Sequence, residues 1–111
     1  MPEMHFTIEW PNGKRERCYS PSYIIEDYFV PGCTYPVPEF LERAAAALTG
    51  ASERVRQRYG FACSSALDQL RELERSCADL SALERARDVK VLAFEKHAAR
   101  DARAQSEEPS Q

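Results

Sequence analysis

Four large apolar side chains at every second position, Met4, Phe6, Ile8 and Trp10, run straight into the turn sequence WPNGK. That combination constrains the chain more than any other stretch. Strict alternation puts His5, Thr7 and Glu9 on the opposite side and describes a strand with one buried face. Pro11 suits the second position of a turn, and Gly13 can adopt a positive φ. A type I turn closed through a glycine bulge pairs Trp10 with Lys14, which sets Glu9 against Arg15, Thr7 against Arg17 and Phe6 against Cys18. The competing two-residue Asn-Gly loop places Glu9 opposite Glu16, a repulsive pair. The first register is therefore expected, with Cys18 facing inward.

The period then changes. In CYSPSYIIEDYF, Ser20 can cap a short helix whose first residue is Pro21, running over about 21–29 and ending at Pro31-Gly32. CTYPVPE carries two prolines in three residues and reads as an extended loop. A long helix is expected from Pro38 to Tyr59, with Leu41, Ala44, Leu48, Ala51, Val55 and Tyr59 forming one apolar stripe. Gly60 is placed to end it in the left-handed conformation. A second helix starts near Ser64 or Ser65, where Ser65 and Asp68 have capping-box spacing. Its stripe is Ala66, Leu70, Leu73, Cys77 and Leu80. The short loop between the helices implies an antiparallel pair. SALERARD is helical by composition. VKVLAFE (89–95) reads as a strand joining the hairpin, because an isolated hairpin is marginal, with a helical continuation as the alternative. The fold class is thus α+β, with an N-terminal hairpin packed on an antiparallel helical pair. One domain over residues 1–99 and a disordered polar tail over 100–111 are expected.

Composition excludes several functions. A net charge of −3 and a pI near 5.4, with no long basic tract, argue against nucleic-acid binding. The N-terminal stretch does not read as an export signal, and no apolar run approaches a membrane span, so a soluble cytoplasmic protein is expected. The four cysteines, 18, 33, 63 and 77, are then reduced, and without a C-x-x-C they lack the spacing of a zinc or thioredoxin motif.

Candidate sites follow from the remaining side chains. Cys63 stands at a helix start, where partial positive charge and free N–H groups favour a thiolate. A nucleophile also needs a base, and neither His5 nor His97 is near it in sequence. The simpler reading makes Phe61 and Cys63 a plug for the end of the helical pair. Cys77 belongs to an apolar stripe, and Cys33, in the proline-rich loop, is the thiol expected to be exposed. Tyr19, Tyr23, Tyr28 and Tyr35 cluster in a short segment together with Ser20. Aromatic rings with polar tips suit interfaces and pockets. Arg54, next to the stripe of the long helix, can reach an anion or carboxylate. No phosphate loop or hydrolase motif occurs, and no catalytic residue, metal or cofactor is assigned.

CYSPS (18–22), DYF (27–29), YP (35–36) and ASERVRQRYGFACSSALDQL (51–70) together resemble a small bacterial family of nitrogen-starvation response proteins. The likeness covers about residues 1–95, is most specific over 51–70, and leaves out the C-terminal tail. Genes of that family travel with a nitrilase, a radical-SAM protein, an acetyltransferase-like protein and a flavin-dependent oxidoreductase. The resemblance therefore implies a setting in nitrile or cyanide nitrogen assimilation, and it transfers no catalytic residues. The expected function is a non-catalytic accessory protein that binds a pathway enzyme, or a second copy of itself, through the aromatic 19–35 segment. The alternative is a thiol- or metal-dependent ligand-binding protein centred on Cys63 with Cys18 or Cys33.

Overall fold

The computed structural model describes residues 3–61 and 64–97. Strand β1 (Glu3–Glu9) turns into β2 (Arg15–Ser20) in the register expected from turn chemistry, with Glu9 opposite Arg15, Thr7 opposite Arg17 and Phe6 opposite Cys18. The turn closes as the Trp10 N–H donates to Lys14 O at 2.8 Å and the Gly13 N–H to Trp10 O at 2.8 Å. Gly13 has φ +89°, a conformation that a side chain would strain.

A 3-10 helix follows at Tyr23–Asp27. It is shorter than the α-helix expected over 21–29, and its cap is Ser22 instead of Ser20. The Ser22 side chain accepts from the Ile24 N–H at 3.2 Å. Ser20 remains the last residue of β2, and its hydroxyl accepts from the Ser22 N–H two residues on. Such a bond folds the chain into a local turn and takes Ser20 away from the helix.

The proline-rich stretch also differs from expectation. Thr34–Pro36 forms β3, a three-residue edge strand. Pro36 ends it, which costs no ladder bond on an outer edge. The next residue opens α1 (Val37–Tyr59), and Gly60 terminates it at φ 87° with its N–H on Arg56 O at 2.7 Å. Helix α2 (Ser64–Ala78) packs antiparallel to it. Ser65 is already helical, so it is not the cap, and Asp68 pairs with Arg71 at 2.7 Å. The capping box sits elsewhere, on the one-turn helix α3 (Ala82–Arg85), where Ser81 and Glu84 bond each other's backbone N–H groups at 3.1 and 2.8 Å.

VKVLAFE is a strand, within the longer β4 (Asp88–His97). It inserts between β1 and β3, giving an antiparallel sheet of order β2-β1-β4-β3. The apolar positions of β4 are spaced two and then three apart: Val89, Val91, Phe94. A β-bulge opposite Thr7/Ile8 absorbs the difference, since Thr7 faces Ala93 while Ile8 faces Val91, leaving Leu92 as the extra residue. Val89, Val91 and Phe94 consequently all reach the core side, while Glu95 and His97 turn to the other face.

The core lies between the sheet and the helices. Met4, Phe6, Ile8, Cys18, Val89 and Val91 from the sheet meet Phe40, Ala44, Leu48, Ala66 and Leu73 from the helices. Phe29 bridges the layers, 5.1 Å from the Phe40 ring and 6.3 Å from that of Phe6. Leu41 and Cys77 are half-buried against this core, Tyr59 is largely exposed, and Val37, Phe40 and Ala47 are buried although they lie off the expected stripe of α1. No described helix packs on the opposite face of the sheet. Among the described residues no helix is long and apolar enough to cross a membrane.

Candidate functional site

The sequence candidates separate into three places. The first is structural. Ser20 and Ser22 are buried; the Ser20 hydroxyl donates to Ser22 O at 2.8 Å, and Arg54 Nη1 donates to Ser22 Oγ at 3.1 Å. Arg54 thus finds a hydroxyl on the 3-10 helix and ties α1 to it. Tyr23 belongs to the same end of the molecule. Its hydroxyl donates to His97 O at 2.7 Å, and Lys96, paired with Glu26 at 2.8 Å, stands over its ring.

The second place is the surface where the Tyr35 ring and the Tyr28 carbonyl meet Arg43, a residue that sequence reasoning did not single out. Arg43 donates to Tyr28 O at 3.0 Å and to Glu39 at 2.9 Å, and its guanidinium lies 5.1 Å from the Tyr35 ring centroid. The Tyr35 hydroxyl accepts from the Val30 N–H at 2.9 Å, and its ring meets Phe29 edge-on. These bonds hold the 28–35 segment against the first turns of α1. Beside them, Pro38, Glu39, Glu42 and Arg43 line an open recess of about 520 Å³. Val30, on the same segment, is 55% exposed. The i,i+4 spacing of Glu39 and Arg43 was visible in the sequence, but nothing there announced that the Tyr35 ring and the Tyr28 carbonyl would meet the arginine.

The third place surrounds Tyr19. Its N–H, on the outer edge of β2, donates to Gln69 Oε1 of α2 at 2.9 Å, and its ring stands edge-on to His5 at 5.7 Å. His5 Nδ1 lies 3.0 Å from His97 Nε2. The only two histidines of the chain, 92 positions apart, therefore share one hydrogen bond. Arg17 flanks them, forming two hydrogen bonds to Glu95 at 2.9 and 3.1 Å. Partial burial, then the charges of Arg17 and His97, hold His5 below its ordinary value, against an opposing pull from Glu95 and Glu3. The signal that could have revealed this pair is the two-then-three apolar spacing of β4, which requires the bulge and so sends His97 to the side of His5.

The cysteines do not share a site among the described residues. Cys18 is buried on the inner face of the sheet, and desolvation, with a smaller contribution from Glu16, pushes its thiol well up. It is therefore unreactive near neutral pH. Cys33 is exposed, as expected. Cys63 lies outside the described residues. Phe61, expected to plug the helical pair, is 67% exposed with its ring toward Tyr59. The Gly60 turn carries the chain away from the core before Phe61 can fill it.

No curated protein and no solved structure matches the chain. The model of the family described as nitrogen starvation-induced protein NitG matches residues 5–94. That span contains the hairpin from His5 onward, both long helices and β4 through Phe94. This chain belongs to the NitG family of nitrogen starvation-induced proteins.

Proposed function

We propose that this protein serves the nitrogen-starvation response as a non-catalytic accessory protein, docking on an enzyme of nitrile or cyanide nitrogen assimilation. The observation that carries this reading is the Arg43 surface. A guanidinium over the Tyr35 ring brings together two residue types enriched at interface hot spots, with the exposed Val30 on the same segment. Its parts are already held in place by hydrogen bonds, so little ordering is lost on docking. The neighbouring recess is open and carries two carboxylates, which suits a protruding side chain of a protein better than an enclosed small molecule.

The test is association of the purified chain with the nitrilase and the flavin-dependent oxidoreductase encoded alongside family members. Size-exclusion light scattering and calorimetry should detect a complex with one of them. Val30→Glu places a charge on an exposed position and should weaken that complex about tenfold or more, the loss of roughly one interface anchor. Arg43→Glu should do at least as much, and Val30→Glu guards against misfolding of the arginine variant. A chain that binds neither enzyme, or whose complex ignores both substitutions, overturns the proposal.

A further inference from the structure

The uncovered face of the sheet holds a cluster unrelated to the Arg43 surface. Four side chains form a two-by-two block at one end of the β1–β4 ladder. Glu3 stands opposite His97, and His5 stands opposite Glu95. The histidines occupy one diagonal and the carboxylates the other. We propose that His5, His97 and Glu3 form a binding site for a borderline divalent transition metal, such as zinc, cobalt or nickel.

The geometry begins with the two ring nitrogens. His5 Nδ1 and His97 Nε2 point at each other across 3.0 Å, so one proton sits between two nitrogen lone-pair directions. Two metal–imidazole bonds of the usual length, meeting at a tetrahedral angle, separate their nitrogens by about 3.4 Å. The rings need only tilt and part by a few tenths of an ångström for an ion to replace that proton. Both rings ride on hydrogen-bonded strands, and the Tyr19 ring braces His5 from the β2 side. The chelate is therefore largely preorganised.

The carboxylates divide their work. Glu95 is committed to Arg17 by two hydrogen bonds, which also neutralise the charge of that guanidinium. Glu3 forms no ion pair among the described residues and lies on the same face, two positions before His5 and opposite His97. Turned inward, it supplies the third ligand and the negative charge, and water completes the set. Among the described residues no three histidine, cysteine or carboxylate side chains are already gathered around a point. The arrangement is a two-nitrogen clasp that the ion itself closes with Glu3. Two imidazoles and one carboxylate favour zinc, cobalt or nickel over calcium and magnesium, which prefer oxygen alone.

The test titrates the full chain with zinc by calorimetry and with cobalt by visible absorption. One ion should bind per chain, with a cobalt spectrum of nitrogen and oxygen ligands and no thiolate charge-transfer band. His5→Gln and His97→Gln should each weaken binding by at least about tenfold, since even changes outside the ligand shell cost that much. Glu3→Gln should weaken it less, and circular dichroism should be unchanged for all three. Absence of binding at millimolar zinc overturns the proposal. So does a thiolate band, or binding that survives both histidine substitutions.

Discussion

Glu16 shows how one side chain can stand against the pattern of its strand. It occupies a position of β2 opposite the buried Ile8, where alternation calls for an apolar residue. The carboxylate accepts from Trp10 Nε1 at 2.9 Å and from Ser76 Oγ of α2 at 2.8 Å. It therefore joins the hairpin, its turn and the second helix at one point. Glu16→Ala leaves two partly buried donors without an acceptor, and the expected loss is about 1–3 kcal/mol in urea unfolding. The single tryptophan reports the same event, with emission shifting to the red as water reaches it. Glu16→Gln keeps an acceptor and should lose less. An unchanged midpoint for the alanine variant would show that the junction contributes nothing. The sequence signalled this junction only indirectly. The register that keeps Glu9 away from Glu16 was legible from the turn, whereas the partners of Glu16 come from the far end of α2. The same limit applied to Arg54, whose partner turned out to be Ser22, 32 positions away.

Among the elements, the bulge in β4 decides the most. The long helix and the first hairpin were readable because β1 alternates strictly and most of the α1 stripe keeps one helical period, and each element closes on a glycine with positive φ. Strand β3 was hidden by Pro36 and the following Pro38, since a proline excludes a central strand but not a short edge one. The α3 capping box was present as Ser81-Ala82-Leu83-Glu84 and was passed over for composition. In β4 the strand itself was legible from its β-branched residues, but its two faces were not, because the period breaks at Leu92. Deleting Leu92 closes the bulge and leaves a regular ladder: Ile8 stays opposite Val91, Thr7 opposite Ala93 and Phe6 opposite Phe94, so every side chain keeps its face. The deletion should therefore cost about as much as Leu92→Ala, the loss of one half-buried side chain. Urea titration of the two variants checks this. A deletion that costs more than about 3 kcal/mol beyond the alanine variant would mean that the bulge itself, and not only the residue count, holds the strand in place.

For the molecule as a whole, the order of strands in space differs from their order along the chain. The first three strands cannot make a sheet without the fourth, since β3 touches β1 only through β4. Ending the chain after Arg87 should therefore abolish cooperative unfolding altogether, leaving a collapsed state with broad amide resonances and a flat response to urea. A sigmoidal transition in that fragment would show that the hairpin and helices form a stable unit without β4. Surface charge contributes little to this cohesion, because every ion pair among the described residues is solvent-exposed, and such pairs are worth about 0–1 kcal/mol each. The late arrival of the middle strand also bears on biosynthesis. While a ribosome is still translating residues 37–87, Phe6 and Ile8 have no neighbour on one flank, and a gap stands open where residues 88–97 will slot in. A nascent chain in that condition offers an unpaired ladder to whatever it meets, so a cell making this protein under starvation has reason to shield it until translation passes His97.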